Sequence, residues 1–151
     1  MRTKLSSIKE FFSARAFAVV GATDERKKFG NAVYRAMKER GLSVYPVNPR
    51  RETIDGDRCY SSVLELPEGV TSVVTVIPPE ETEKIVPACI DRGIKVLWMQ
   101  HGSESPAAVK AGESAGLTII RKECVLMFLE PVESGHAFHR WLKKAVLAYP
   151  S

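Results

Sequence analysis

The chain has 151 residues, of which 44% are hydrophobic and 26% are charged, and its formal net charge is +4. This balance is typical of a globular protein and excludes disordered, fibrous and low-complexity classes. The apolar runs are far shorter than the roughly 20 residues that span a bilayer, so we expect no membrane association and a cytoplasmic location. The basic residues are dispersed, which argues against nucleic-acid binding. We expect one domain over residues 1–151.

The cysteines and histidines give no metal-binding pattern. Cys59, Cys89 and Cys124 have no CxxC spacing, so neither a disulfide framework nor a zinc site is predicted. His136 and His139 lie one helical turn apart, but no third ligand follows at a useful spacing. We therefore predict no metal site.

Helical patterns alternate with short apolar runs along the chain. A helix is predicted over residues 1–14, where Ser7 to Glu10 matches a capping box. The first strand is the apolar run Ala16 to Val20, and a helix with an apolar face from Phe29 to Met37 follows it. Later strands are predicted from about residue 43 and over 73–77, 94–99 and 117–120, with helices beginning after Pro78 and at Ser105 and an amphipathic helix over 134–149.

Short buried strands joined by helical crossovers predict an α/β fold. We expect a doubly wound, Rossmann-like parallel sheet of about five strands with helices on both faces. Ligands of such sheets bind at the carboxyl ends of the strands, near the point where the strand order reverses. Pro46 conflicts with a central position for the second strand, because proline has no N–H to donate. We expect a strand end or a bulge there.

The loop after the first strand has residue types that suit a phosphate group. Gly21 permits a tight turn, Thr23 offers a hydroxyl, and Gly30 lets a diphosphate approach the amides of a helix N-terminus. The loop is longer than the GxGxxG dinucleotide motif and contains fewer glycines. A simple turn between a strand and a helix is the alternative.

The loop after the second strand distinguishes among nucleotides. NAD-binding domains place an acid here for the ribose hydroxyls, whereas this chain has Asn48, Pro49, Arg50 and Arg51. Guanidinium groups match a phosphate in bidentate geometry. The loop therefore favours a ribose with an additional phosphate, as in NADP or coenzyme A. Two exposed arginines in a turn are the alternative.

Three later segments have weaker signals. Ile77 and Pro78 form either an apolar ledge for an adenine ring or only the start of a helix. His101 follows Gln100 at the expected cleft, but no partner for acid–base chemistry is identifiable, so we interpret it as a hydrogen-bonding or surface residue. Cys124 follows the cationic residues Arg121 and Lys122, a setting that favours a reactive thiol, although burial as a small apolar side chain is the preferred interpretation.

Several segments, taken in order, resemble one known family: Val20 to Thr23, Phe29 to Asn31, Tyr45 to Pro49, Val76 to Pro78 and Trp98 to Gly102. This is the stand-alone CoA-binding domain family of bacteria and archaea. It is similar to the N-terminal domain of the succinyl-CoA synthetase α subunit and of ADP-forming acyl-CoA synthetases. The resemblance extends from about Phe11 to Phe128 and includes Pro46.

The resemblance implies that coenzyme A lies across the carboxyl ends of the strands. It implies a set of cofactor-binding residues that contact the phosphates, the ribose phosphate or the adenine, or that lie at the rim of the cleft. They are Gly21, Thr23, Lys28, Phe29, Gly30, Asn31, Asn48, Arg50, Arg51, Ile77, Pro78 and Gln100. The synthetases also use a phosphohistidine-bearing domain and an ATP-grasp partner, for which we find no counterpart here. We therefore expect no catalytic residue and no ligase activity from this chain alone.

The sequence thus predicts a module that binds coenzyme A or acyl-CoA as a carrier, a sensor or a partner of an acyl-CoA enzyme. An NADP-dependent oxidoreductase with His101 as proton donor is the alternative. A third interpretation is a scaffold that associates through the C-terminal helix containing Trp141, which also offers a surface for a homo-oligomer.

Overall fold

The computed structural model describes residues 3–129, which form a five-stranded parallel sheet, a short hairpin and four helices. The helices are α1 (Leu5–Phe12), α2 (Phe29–Glu39), α3 (Pro79–Arg92) and α4 (Pro106–Ser114). The strands are β1 (Ala16–Val20), β2 (Val44–Val47), β3 (Thr53–Ile54), β4 (Asp57–Arg58), β5 (Val70–Thr75), β6 (Val96–Met99) and β7 (Thr118–Ile120). Short 3-10 turns cover Val63–Glu65 and Val125–Met127. The predicted helix over 134–149 lies outside the described residues.

The large sheet has the strand order β2-β1-β5-β6-β7, and every pairing within it is parallel. The order reverses between β1 and β5, because the chain moves outward to β2 before it returns to the other side of β1. In open sheets of this class the reversal opens a crevice at the carboxyl ends of the two strands. The architecture confirms the predicted α/β fold class and places Gly21 and Val76 on either side of that crevice.

Two apolar layers cover the sheet, one on each face. Phe17 and Val19 of β1 belong to the layer that contains Trp98 and residues of α1 and α2. Ala18 and Val20, which point the other way, belong to the layer with residues of α3 and α4. Because successive strand residues face opposite sides, a strand buried on both faces needs an uninterrupted apolar run. All five residues of β1 are buried.

Pro46 is accommodated because β2 is an edge strand of the large sheet. It lies opposite Val19 of β1, and its carbonyl accepts a hydrogen bond of 2.9 Å from the Tyr60 amide on the outer side. The N and C=O of one strand residue face the same side, so the missing N–H of Pro46 also faces outward. No hydrogen bond to β1 is lost, and the expected bulge is not needed.

The start of α1 and the hairpin of β3 and β4 differ from the sequence prediction. Helix α1 begins at Leu5 with Lys4 as its N-cap residue, so Ser7 lies inside the first turn and the predicted capping box is wrong. The hairpin of β3 and β4 was not predicted, although its Asp55-Gly56 turn is typical of a two-residue hairpin loop. Both turn residues have positive φ angles, 50° and 85°.

Ser105 and Pro106 begin α4 as the sequence predicts. The Ser105 hydroxyl accepts a hydrogen bond of 3.0 Å from the Ala108 amide. Within residues 3–129, the longest helix has 14 residues, and none of the helices there is long and apolar enough to cross a membrane.

Candidate functional site

A cavity of about 980 Å³ opens at the carboxyl ends of β1, β2 and β5, where the strand order reverses. Its walls come from the loops after these strands, from the first turn of α2, from one face of α3 and from residues 61–63. All the predicted cofactor-binding residues except Asn31 and Gln100 line it: Gly21, Thr23, Lys28, Phe29, Gly30, Asn48, Arg50, Arg51, Ile77 and Pro78.

Two glycines allow the end of β1 to lie close to the segment after β5 and to the start of α2 at the base of the cavity. Gly21 has a φ of +95°, and a Cβ atom there would lie 2.3 Å from the Val76 carbonyl oxygen. A Cβ atom on Gly30 would lie 2.0 Å from the Gly21 carbonyl oxygen. Real side chains do not tolerate such distances, so Gly30 is needed for backbone packing as well as for ligand access. The start of α2 is thereby held at the end of β1.

The N-terminus of α2 presents unpaired amides at the cavity. Lys28 is the N-cap residue, and its side chain makes no capping hydrogen bond. The amides of Phe29 and Gly30 have no acceptor within the described part of the chain, as expected for the first turn of a helix. Such amides and the helix dipole favour an anion. The exposed Lys28 adds a positive charge without an ion-pair partner among residues 3–129.

Two asparagine side chains donate hydrogen bonds to backbone carbonyls of the loop between β1 and α2. The buried Asn31 side chain donates a hydrogen bond of 2.7 Å to the Thr23 carbonyl. Asn48 donates one of 2.9 Å to the Ala22 carbonyl, and its side-chain oxygen accepts one of 2.9 Å from the Arg50 amide. Asn31 therefore shapes the loop and does not line the cavity, whereas Asn48 does both.

The adjacent arginines have different surroundings. Arg50 is exposed, and its guanidinium has no hydrogen-bond or ion-pair partner within residues 3–129. The Arg51 guanidinium donates through Nε to Asp24 at 3.0 Å and through Nη2 to Glu25 at 3.1 Å. Arg51 thus ties the loop after β2 to the loop after β1, while Arg50 presents an unpaired charge at the cavity.

The opposite side of the cavity is more apolar. Ile77 and Pro78, which precede α3, line the cavity together with the apolar side chains of Ile85, Ala88 and Val63. An ion pair of 2.7 Å between Lys84 and Glu81 also borders this side.

Residues 61–63 were missed by the sequence analysis, which assigned no role to this segment. The Ser62 hydroxyl accepts a hydrogen bond from the Leu64 amide at 3.2 Å, and this starts the 3-10 turn that brings Val63 to the cavity. A serine before a short apolar segment is a cap signal, but nothing in the sequence places that turn beside α3.

A buried chain of hydroxyl groups supports the Ile77–Pro78 wall. Ser103, in the loop after β6, has its Oγ 2.9 Å from the hydroxyls of both Thr75 and Thr82 and 3.4 Å from the Ile77 amide. Thr82 also reaches the Pro78 carbonyl at 3.4 Å. One proton arrangement satisfies all three hydroxyls: Thr75 donates to Ser103, Ser103 to Thr82, and Thr82 to Pro78. No pattern in the sequence indicated this cluster.

Gln100 and His101 do not form part of the cavity wall. The buried Gln100 side chain accepts a hydrogen bond of 3.1 Å from the Val125 amide, and His101 is exposed. Burial raises the pKa of the Cys89 thiol to about 12, and it raises that of Cys59. Cys124 is half-buried. No group of His, Cys, Asp and Glu within residues 3–129 has a metal-binding arrangement.

Comparison with known proteins identifies the family. A family model described as "CoA binding domain" matches residues 15–130, which is most of the chain. The chain belongs to this family of CoA-binding domains. A solved structure that the chain resembles is that of a conserved hypothetical protein from Pyrococcus furiosus, 35% identical with a TM-score of 0.74, where the match covers 76% of this chain and 99% of that one.

Other relatives show where such a domain occurs. A hypothetical protein from Pyrococcus horikoshii is 31% identical with a TM-score of 0.76, and the match covers 83% of this chain and 92% of that chain. The α subunit of ADP-forming acetate–CoA ligase II from Pyrococcus furiosus is 30% identical over 152 residues. That match covers 93% of this chain but only 33% of the subunit, so the domain spans about a third of this ligase relative.

Proposed function

We propose that this domain binds coenzyme A or acyl-CoA in the cavity at the carboxyl ends of β1, β2 and β5. The observation that supports it best is the pairing of two anion-binding elements across one cavity. Within residues 3–129, neither the amides of Phe29 and Gly30 at one loop nor the guanidinium of Arg50 at the next has a partner. The volume of about 980 Å³ lies at the upper end of the range for ligand pockets.

The charges of the cavity suit the phosphates of this ligand. We assign the diphosphate to the N-terminus of α2 and Lys28, because helix amides and an unpaired cation meet there. The 3′-phosphate on the ribose is assigned to Arg50 and Arg51, which replace the acid that an NAD site uses at this strand end. Ile77 and Pro78 on the apolar wall are assigned to the adenine.

The family relationship favours coenzyme A over NADP, and nothing in the comparisons supports the NADP alternative. His101, the proton donor that an oxidoreductase would need, is exposed and does not line the cavity. We propose that the domain acts as a carrier, a sensor or a CoA-binding partner of an acyl-CoA enzyme, without a catalytic step of its own. A cytoplasmic location and self-association through residues 134–149 stay predictions from the sequence.

Calorimetric titration of the purified protein with coenzyme A, NAD and NADP tests the proposed ligand. The proposal predicts that coenzyme A binds measurably more tightly than either dinucleotide. Equal or tighter binding of NAD would contradict it, because the site would then gain nothing from the arginines after β2. Tighter binding of NADP would favour the alternative that the sequence analysis left open.

A further inference from the structure

The side chains of Asp24 and Glu25 occupy one of the two edges through which the Arg51 guanidinium can bind a phosphate. Nε and Nη2 lie along one side of the planar guanidinium, and a phosphate or carboxylate binds that side with two parallel hydrogen bonds. Here one donor contacts an oxygen of Asp24 at 3.0 Å and the other contacts an oxygen of Glu25 at 3.1 Å. Two carboxylates together thus take the place of one bidentate anion.

These contacts are open to exchange with a ligand. The Arg51 side chain is 33% exposed, and those of Asp24 and Glu25 are 50% and 55% exposed. Exposed ion pairs contribute little stability, because water solvates each partner after separation. Arg51 and Glu25 both border the cavity, so an incoming phosphate can reach the guanidinium from the ligand side.

From this arrangement, and resting on the proposed function, we infer that Asp24 and Glu25 are specificity-determining positioning residues that compete with the ligand's ribose phosphate for Arg51. A ligand with that phosphate displaces the two carboxylates and recovers two charge-assisted hydrogen bonds. A ligand without it leaves the ion pairs in place and gains nothing from Arg51. The acids therefore lower the affinity for coenzyme A, while they leave the contact to a ligand without the phosphate unchanged.

The test is a calorimetric comparison of coenzyme A with dephospho-CoA, which lacks the 3′-phosphate. The variant D24N/E25Q retains side chains of similar shape but removes both charges. We expect its affinity for coenzyme A to rise about two- to tenfold, because two exposed ion pairs no longer have to be broken. The ratio of the two affinities rises by the same factor. In an R51A background the acid substitutions should no longer change that ratio.

Glu81→Gln is the matched control. Glu81 also borders the cavity and is paired with a cation, Lys84, but it does not contact Arg51. Its replacement removes one negative charge from the cavity border without freeing Arg51, so we expect a smaller rise in the ratio than Glu25→Gln produces. Single variants D24N and E25Q, each with a smaller rise in the ratio, would support the inference further.

The possible outcomes separate this inference from the proposed function. If coenzyme A binds the unsubstituted protein but D24N/E25Q leaves the ratio unchanged or lowers it, the competition does not exist and only the inference is overturned. Equal loss of affinity for both ligands would show that the acids merely shape the loop, which also overturns it. If coenzyme A does not bind the unsubstituted protein, the proposed function fails and the inference fails with it.

Discussion

Replacing Gly30 with alanine puts a methyl group where the backbone leaves no room. The added Cβ atom would lie 2.0 Å from the Gly21 carbonyl oxygen and 3.0 Å from its carbonyl carbon, whereas ordinary contacts begin near 3.4 Å. Both clashing atoms belong to the backbone, so no side-chain rotation relieves the contact. The first turn of α2 or the end of β1 has to move by about 1 Å, which costs about 1–3 kcal/mol in a packed interior.

The same displacement should weaken the binding of coenzyme A. The amides of Phe29 and Gly30 move with the helix, and each charge-assisted hydrogen bond that they make with a phosphate is worth about 1.5–3 kcal/mol. We expect a ten- to hundredfold loss of affinity for Gly30→Ala. Urea unfolding followed by circular dichroism measures the change in stability, and calorimetry measures the change in affinity.

Gly112→Ala is the matched control because Gly112 also lies within a helix. Its added Cβ atom would meet the flexible end of a side chain, Ile119 Cδ1, at 2.6 Å. That end can rotate away, and alanine is favoured over glycine in helices by about 1 kcal/mol. We expect Gly112→Ala to stay within about 1 kcal/mol of the parent and to bind coenzyme A normally. If Gly30→Ala matched it in both measurements, the close approach of α2 to β1 would not be required.

Three further substitutions test separate contacts. Arg50→Ala should weaken coenzyme A binding about ten- to hundredfold in calorimetry and leave dephospho-CoA nearly unchanged; equal losses would refute the phosphate assignment. Ser103→Ala leaves buried hydrogen-bonding groups without a partner, so urea unfolding should show a loss of about 1–3 kcal/mol, and an unchanged stability would refute the hydroxyl chain. Hydrogen bonds from Lys38 and Tyr34 hold the pKa of Asp57 below its ordinary 3.8. The stabilisation that these hydrogen bonds provide is complete above that pH and is lost as the pH falls below it. The loss in free energy of unfolding caused by Asp57→Asn should therefore become smaller in acid.

The strands were predictable because burial on both faces imposes a strong apolar pattern. The predicted range of β1, residues 16–20, agrees with the structure. β5 begins three residues earlier than predicted, at Val70, because Ser72 interrupts the apolar pattern. The Ser72 hydroxyl is buried and satisfied by the Phe11 carbonyl at 3.0 Å, a partner distant in the chain. Ile77, predicted as the strand end, lies beyond it and borders the cavity instead.

Most of the candidate site was predictable because it follows the strand ends, and strand ends of a parallel sheet meet at one edge. Asn31 and Gln100 show the limit of this reasoning. Both occupy positions near strand or helix ends, yet their amides contact Thr23 and Val125 and do not line the cavity. A side chain's partners depend on segments that pack against it from elsewhere in the chain. For the same reason, the Ser103 hydroxyl chain could not be predicted from the sequence.

A crystal structure of the protein grown with coenzyme A would show where the ligand binds. We expect density for the ligand in the cavity between α2 and α3. The diphosphate should lie at the amides of Phe29 and Gly30, and the 3′-phosphate at the guanidinium groups of Arg50 and Arg51. Ligand density at another surface, or a nucleotide in this cavity with its phosphates away from the N-terminus of α2, would contradict the account.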